Sequence, residues 1–196
     1  GITTEELDEV AEACCRKHKV KPAFKGYRGF THALCIAVNE EVVHGIPGPR
    51  QLKVGDLVSL DFGVLYDGFF GDAAISFGVG EVTPQAHLLM KATEESLYAG
   101  IAQLKIGGRL SDISHAVQTT VEGYGFGVIR QFVGHGIGRS LHEDPQIPNF
   151  GVKGRGPVLK PGMTMAIEPM TSAGSWEVKI LEDGWTAVTA DKSRSG

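Results

Sequence analysis

The stretch Gly55-Asp56-Leu57-Val58-Ser59-Leu60-Asp61-Phe62-Gly63-Val64-Leu65-Tyr66-Asp67-Gly68-Phe69-Phe70-Gly71-Asp72-Ala73 decides how this chain is read. Residues 57–65 form a strand-like run, and a second run goes from Phe69 to Phe77. Tyr66-Asp67-Gly68 between them is a turn signal, so the two runs predict a hairpin. Asp61 and Asp72 then lie on opposite arms. A turn centred between Tyr66 and Asp67 sets them directly opposite. A turn centred between Asp67 and Gly68 sets them on a diagonal, still on one face because strands repeat every two residues. Two carboxylates among leucine, phenylalanine and alanine repel each other and are costly to desolvate. A shared divalent cation removes both costs. The plain alternative is one aspartate solvating an edge and the other capping a turn, and spacing alone does not separate the two.

Around this hairpin the chain reads as one α+β domain. At 196 residues it can bury a real core. With 42% hydrophobic and 21% charged residues it belongs with globular chains, not disordered ones. A net charge of −4 and a pI near 6.0 point to neither nucleic acid nor an anionic membrane as partner. No apolar run has the length of a membrane span, and the start reads as a helix cap, not a secretory leader. Cys14, Cys15 and Cys35 are an odd set without framework spacing, which fits a reducing cytoplasm.

Thr3-Thr4-Glu5-Glu6 is a capping box. It opens a helix over 4–18 with Leu7, Val10, Ala11 and Cys14 on its apolar face. Residues 33–38 and 41–44 predict a short hairpin about Asn39-Glu40. Thr83-Pro84 starts a helix running to near Leu104, and Ser111 caps another through Glu122. A short strand is expected near 126–133, then a long Gly/Pro-rich loop over 134–162, of a length that is usually functional. Strands follow at 163–169, 176–182 and 185–190, the last two joined at Asp183-Gly184. No β-α-β repeat is present, so the sheet is expected to be antiparallel or mixed.

Three further stretches carry candidate chemistry. His135 stands between glycines in Gly134-His135-Gly136-Ile137-Gly138, which lets the backbone bend closely around an accessible imidazole. A hydrogen-bonded turn histidine is the bland reading. Glu168, in Ile167-Glu168-Pro169-Met170, is an acid in an apolar strand and needs a partner, either a metal or a cation such as Lys179. His44 and His142 are candidate hydrogen-bond donors to a ligand, or plain loop residues. His18, His32, His87 and His115 read as surface or core-edge residues. There is no phosphate-binding loop, no nucleophile elbow and no CxxC pair. Cys35 reads as a small buried hydrophobe.

Taken together, five phrases resemble the bacterial type I methionine aminopeptidases. They are Cys35-Ile36-Ala37-Val38-Asn39-Glu40-Glu41-Val42-Val43-His44-Gly45-Ile46-Pro47, Gly55 through Asp61, Asp67-Gly68-Phe69-Phe70-Gly71-Asp72, Gly134 through Gly138, and Ile167-Glu168-Pro169-Met170. The resemblance spans essentially the whole chain. It implies the pita-bread fold, a single catalytic domain over 1–196 with pseudo-symmetric halves of about 1–82 and 83–196. It also implies removal of the initiator methionine from nascent proteins with small second residues. Asp61, Asp72, His135 and Glu168 would hold two divalent ions (Co, Mn, Fe or Zn), which lower the pKa of a shared water. Glu168 would also shuttle the proton, His142 would polarise the scissile carbonyl, and His44 would position the peptide nitrogen. Phe24, Tyr27, Phe30, Cys35 and Trp185 match positions lining the methionine pocket, with Phe24 where a cysteine is often found. By the same resemblance the enzyme would be a cytoplasmic monomer meeting nascent N-termini near the ribosome.

Departures from the family pattern set further expectations. The family continues past this end with a strand bearing a second, bridging glutamate, and it begins with a helix not found here. A site short of that ligand is expected to bind metal weakly and to leave this chain weak or inactive. The length argues against the type II enzymes, and His142-Glu143-Asp144-Pro145 against the proline-specific relatives. A non-catalytic peptide-binding relative is the alternative within the fold. An unrelated α+β interaction domain is the alternative outside it.

Overall fold

A computed structural model describes residues 1–196. In chain order the elements are α1 (Thr4–His18), β1 (Lys21–Pro22), a 3-10 turn (Tyr27–Gly29), β2 (Leu34–Val38), β3 (Glu41–Val43), β4 (Leu57–Tyr66) and β5 (Phe69–Gly78). Then come α2 (Pro84–Ile101), α3 (Leu110–Gly123), β6 (Gly127–Val128), β7 (Gly134–Gly136), β8 (Glu143–Ile147), β9 (Met165–Ala166), β10 (Thr171–Ser172), β11 (Val178–Ile180) and β12 (Ala187–Thr189). All strand pairs are antiparallel. β4 is the spine, pairing with β5 along one edge and with β2 and β1 along the other. Three smaller sheets, β11-β12-β3, β8-β7-β9 and β10-β6, complete the set.

The β4–β5 hairpin closes through a two-residue turn, with Asp67 at φ 48° and Gly68 at φ 80°. Two positive φ values define the turn type whose twist matches paired strands. They settle the register on the second of the two alternatives. Asp61 opposes Ala74 and Asp72 opposes Gly63, so the aspartates are diagonal neighbours on one face.

α1 starts as expected: Thr3 Oγ1 accepts from the Glu6 amide at 3.1 Å, and Glu6 Oε2 accepts from the Thr3 amide at 2.7 Å. Its buried face, however, is Thr4, Asp8, Ala11 and Cys15, while Val10 and Cys14 are exposed. A polar contact rotates the helix. Asp8 Oδ1 accepts from the amides of Ala33 and Leu34, each at 2.8 Å, and so anchors the start of β2. Apolar periodicity does not register such a contact.

Other elements depart from the sequence reading. β2 and β3 do reverse at Asn39, but they form no ladder together beyond Ile36 N to Gly45 O at 2.9 Å. β2 pairs with β4, and β3 pairs with β12. Asn39 holds the reversal by accepting from the Leu57 amide and donating to Asp56. α3 begins after Arg109, whose amide donates to Asp112 at 3.0 Å. Ser111 lies inside the helix and exchanges hydrogen bonds with the Arg155 backbone. The stretch 134–162 is not all loop, since it contains β7 and β8. The helix expected to reach Leu104 ends at Ile101, and the strands after 162 are short.

α2 and α3 cross where Gly100 lacks a side chain. A Cβ there would stand 3.0 Å from Val117 and 3.2 Å from Ile113. Leu57, Leu89, Ala92, Val121, Phe126 and Val128 tie this helix pair to the start of β4. A second core joins Ala11, Leu34, Ile36, Val38, Leu52 and Val58 under α1. Asp8→Ala should leave two buried amides without an acceptor, costing about 1–3 kcal/mol, read by denaturant unfolding.

Candidate metal centre and the pocket beside it

Three side chains meet at one point. One ligand atom from each of Asp72, His135 and Glu168 lies within 4.8 Å of the other two. His135 Nε2 is 3.0 Å from Glu168 Oε1 and 3.8 Å from Asp72 Oδ2. The His135 and Asp72 side chains are only 8% and 9% exposed. Asp72 comes from β5, His135 from the middle of β7, and Glu168 from just past β9. Asp61 stands one step outside this group, beside Asp72 on the same face of the hairpin. Asp61, Asp72, His44 and Glu168 line one cavity of about 630 Å³, which runs between β5 and α2 past Met90, Leu97 and Tyr98.

The glycines beside His135 have a different purpose from the one the sequence suggested. None of Gly134, Gly136 and Gly138 has a positive φ. Instead, a Cβ on Gly134 would stand 2.3 Å from the Ala166 carbonyl oxygen, and one on Gly136 would stand 2.3 Å from that of Asp144. The glycines let β9 and β8 close on β7 from both sides, which fixes the imidazole between them. His135 Nδ1 then donates to the Gly136 carbonyl at 2.8 Å, leaving Nε2 pointing at the carboxylates.

The electrostatics are those of a site short of positive charge. Burial, then the charges of Asp72 and Glu168, hold the Asp61 carboxyl well above the usual carboxylate range. Burial and the Glu168 charge raise Asp72 as well. For His135, burial disfavours the charged form, but Glu168, the Gly136 carbonyl and Asp72 outweigh it and the pKa rises. Asp72 Oδ1 and Glu168 Oε1 are buried without a hydrogen-bond partner, the latter 3.0 Å from His135 Nε2. Orphaned carboxylate oxygens facing an imidazole lone pair fit a divalent cation. Lys179, the alternative partner for Glu168, is exposed and makes no ion pair with it.

Phe24, Tyr27, Phe30, Cys35 and Trp185 come together in one cluster beside the centre, with Ile46, Phe70, Ile137 and Leu141. Phe24 packs over Gly63, where a Cβ would come within 2.6 Å of its ring. Burial, then the charges of Asp61 and Asp72, push the Cys35 thiol far up, so it acts as an apolar wall. His142 bridges pocket and centre: its Nδ1 is 2.9 Å from the Tyr27 hydroxyl, and its ring centroid is 4.3 Å from that of His135. His44 stands edge-on to Phe132 at 5.4 Å and to Trp185 at 6.3 Å. Burial, the largest influence on both, lowers the pKa of His44 and of His142. Sequence reading missed Phe70, Phe132, Ile137 and Leu141. Only Phe70 carried a signal, lying two residues before Asp72 on the same strand face. His18, His87 and His115 are exposed, and His32 is half-buried with its ring edge-on to Phe30 at 6.4 Å, on the outer side of the pocket cluster's wall.

Buried carboxylates and an imidazole set beside an apolar pocket on an antiparallel scaffold define a metal-dependent hydrolase class. Residues 1–190 match metallopeptidase family M24. The chain is 56% identical to a methionine aminopeptidase of Clostridium perfringens and 54% identical to methionine aminopeptidase 1 of Bacillus subtilis. Each match covers 97% of this chain and 77% of the relative. The crystal structure of a Thermotoga maritima methionine aminopeptidase superposes with a TM-score of 0.98 at 52% identity, covering 100% of this chain and 79% of that one. A Pyrococcus horikoshii prolidase, at 22% identity and TM-score 0.74, shares the pita-bread fold. The chain belongs to metallopeptidase family M24, among its bacterial-type methionine aminopeptidases.

The raised carboxyl pKa values carry a stability sign. A carboxyl raised on folding stabilises fully below its unfolded pKa, and that stability is lost as pH rises through the folded value. The metal-free protein should therefore lose stability as pH climbs from the ordinary carboxylate range, and added Mn or Co should restore it. Asp61→Asn should raise the metal-free Tm at pH 7 and shrink the gain from metal. Each kcal/mol of relieved repulsion is worth roughly 2–4 °C for a chain of this size. Scanning calorimetry with and without chelator reads both effects.

Proposed function

We propose that Asp61, Asp72, His135 and Glu168 hold two divalent ions, from among Co, Mn, Fe and Zn, and that the pocket beside them takes the side chain of an N-terminal methionine. One observation carries this reading: the contact line from Tyr27 through His142 to His135 joins the apolar cluster to the candidate ligands. A methionine seated among Phe24, Tyr27, Phe30, Cys35 and Trp185 meets aromatic, apolar and sulfur groups suited to a thioether. Its backbone then lies beside the carboxylates. The substrates are nascent chains with small second residues, met near the ribosome by a monomeric cytoplasmic enzyme.

When bound, the ions supply Lewis acidity and a water acidic enough to attack at neutral pH. The residues do the rest. Glu168 takes the proton from the attacking water and passes it to the leaving amine. His142 accepts at Nδ1 from the Tyr27 hydroxyl, so its proton sits on Nε2 and is donated to the scissile carbonyl as charge builds there. Burial, then the neighbouring His135, disfavour protonation and keep that imidazole neutral. His44, held edge-on by Phe132 and Trp185, orients the peptide nitrogen.

Methionine release from Met-Gly-Met-Met tests this reading across Co, Mn, Fe and Zn. The four ligands should hold one ion more tightly than the second, so release should be low with one equivalent of metal and rise with excess. His142→Ala should cut kcat by about 10²–10³ with KM little changed. Folded protein that takes up no metal and releases no methionine sinks the proposal in favour of a non-catalytic peptide-binding role.

A further inference from the structure

The 3-10 turn carries a cation that neither the metal centre nor the pocket uses. Arg28 is exposed, and no carboxylate lies within 4.0 Å of it. Its backbone is left-handed, with φ 51° and ψ 22°, a conformation that non-glycine residues adopt rarely. Gly26 and Gly29, which flank the turn, have φ 87° and 92°. The guanidinium carbon lies 5.3 Å from the centroid of the Tyr27 ring, whose hydroxyl meets His142.

This geometry matters for the part of a peptide beyond the scissile bond. With the methionine side chain in the pocket and its carbonyl at His142, the rest of the chain must leave to solvent past the exposed edge of His142. Peptide advances about 3.3–3.6 Å per residue, which brings the residue two positions after methionine within side-chain reach of the Tyr27 rim, whose hydroxyl meets His142. A planar cation resting on an aromatic ring, with no partner of its own, suits a carboxylate.

We propose that Arg28 is a specificity residue that selects substrates bearing a carboxylate two positions after the methionine, either an acidic side chain or the free C-terminus of a short peptide. The proposal rests on the aminopeptidase reading. Its test compares kcat/KM for Met-Ala-Asp-Gly, Met-Ala-Gln-Gly and Met-Ala-Lys-Gly amides at low ionic strength. Met-Ala-Gln as free acid and as amide tells the terminal carboxylate from the side chain. The aspartate peptide should exceed the lysine peptide by about fivefold, the range of an exposed charge pair. The difference should sit in KM, not kcat, and should shrink in high salt. It should collapse in Arg28→Ala and in Arg28→Gly, which suits the left-handed backbone, persist in Arg28→Lys, and reverse in Arg28→Glu. Rates on the glutamine amide normalise each variant. Equal rates on the aspartate and lysine peptides, or a preference that survives Arg28→Gly, overturns the role of Arg28 alone. No release from the glutamine amide by the metal-loaded protein overturns the aminopeptidase reading instead.

Discussion

Two like charges pressed together on one face of a hairpin govern this structure. Asp61 and Asp72 are diagonal neighbours among apolar side chains; burial, then the charges of Asp72 and Glu168, make Asp61 hard to ionise, and burial and Glu168 do the same to Asp72. That crowding costs stability, and the Ala73 amide and His135 relieve it only in part, since both carboxyls stay raised. The hairpin register cannot slip to avoid it, because a one-residue slip would turn every side chain of β5 to the other face. The Asp67-Gly68 turn, with both residues at positive φ, pins that register. The protein is therefore built around a charge imbalance that a divalent cation would correct.

The other half of the centre is positioned by close backbone approach. β7 is three residues long, too short to be held firmly by its own ladder. Gly134 and Gly136 let β8 and β9 press against it, so His135 is fixed by neighbouring main chain instead of side-chain packing. The bond from Nδ1 to the Gly136 carbonyl settles which nitrogen faces the acids. Glu168 lies just beyond β9, so the strand that confines the imidazole also delivers its carboxylate partner.

Much of this was legible in the sequence, and what was not failed for identifiable reasons. The hairpin could be read because alternation and a turn dipeptide are local signals, but Tyr66-Asp67-Gly68 admitted two centres and only backbone dihedrals choose between them. The face of α1 was misjudged because Asp8 bonds amides 25 and 26 residues away, a contact that leaves no periodic trace. The pairing of β3 with β12 joins residues nearly the whole chain apart, and no short-range pattern announces it. Pocket residues that matched the family pattern fell together, while Phe132, Ile137 and Leu141 looked like ordinary apolar positions until the fold set them beside the site.

The candidate ligands are shared between two sheets that have no ladder with each other: Asp61 and Asp72 on the β4–β5 hairpin, His135 on β7 between β8 and β9. An ion there closes a loop from residue 72 to residue 135 and does so reversibly. Clips across long loops remove the most freedom from an unfolded chain. Binding to the folded form alone deepens its stability with the free ion concentration. With the proposed ion in place, the lifetime of this fold would become a readout of metal supply: a starved cell would lose the protein itself to unfolding and proteolysis, beyond any loss of turnover.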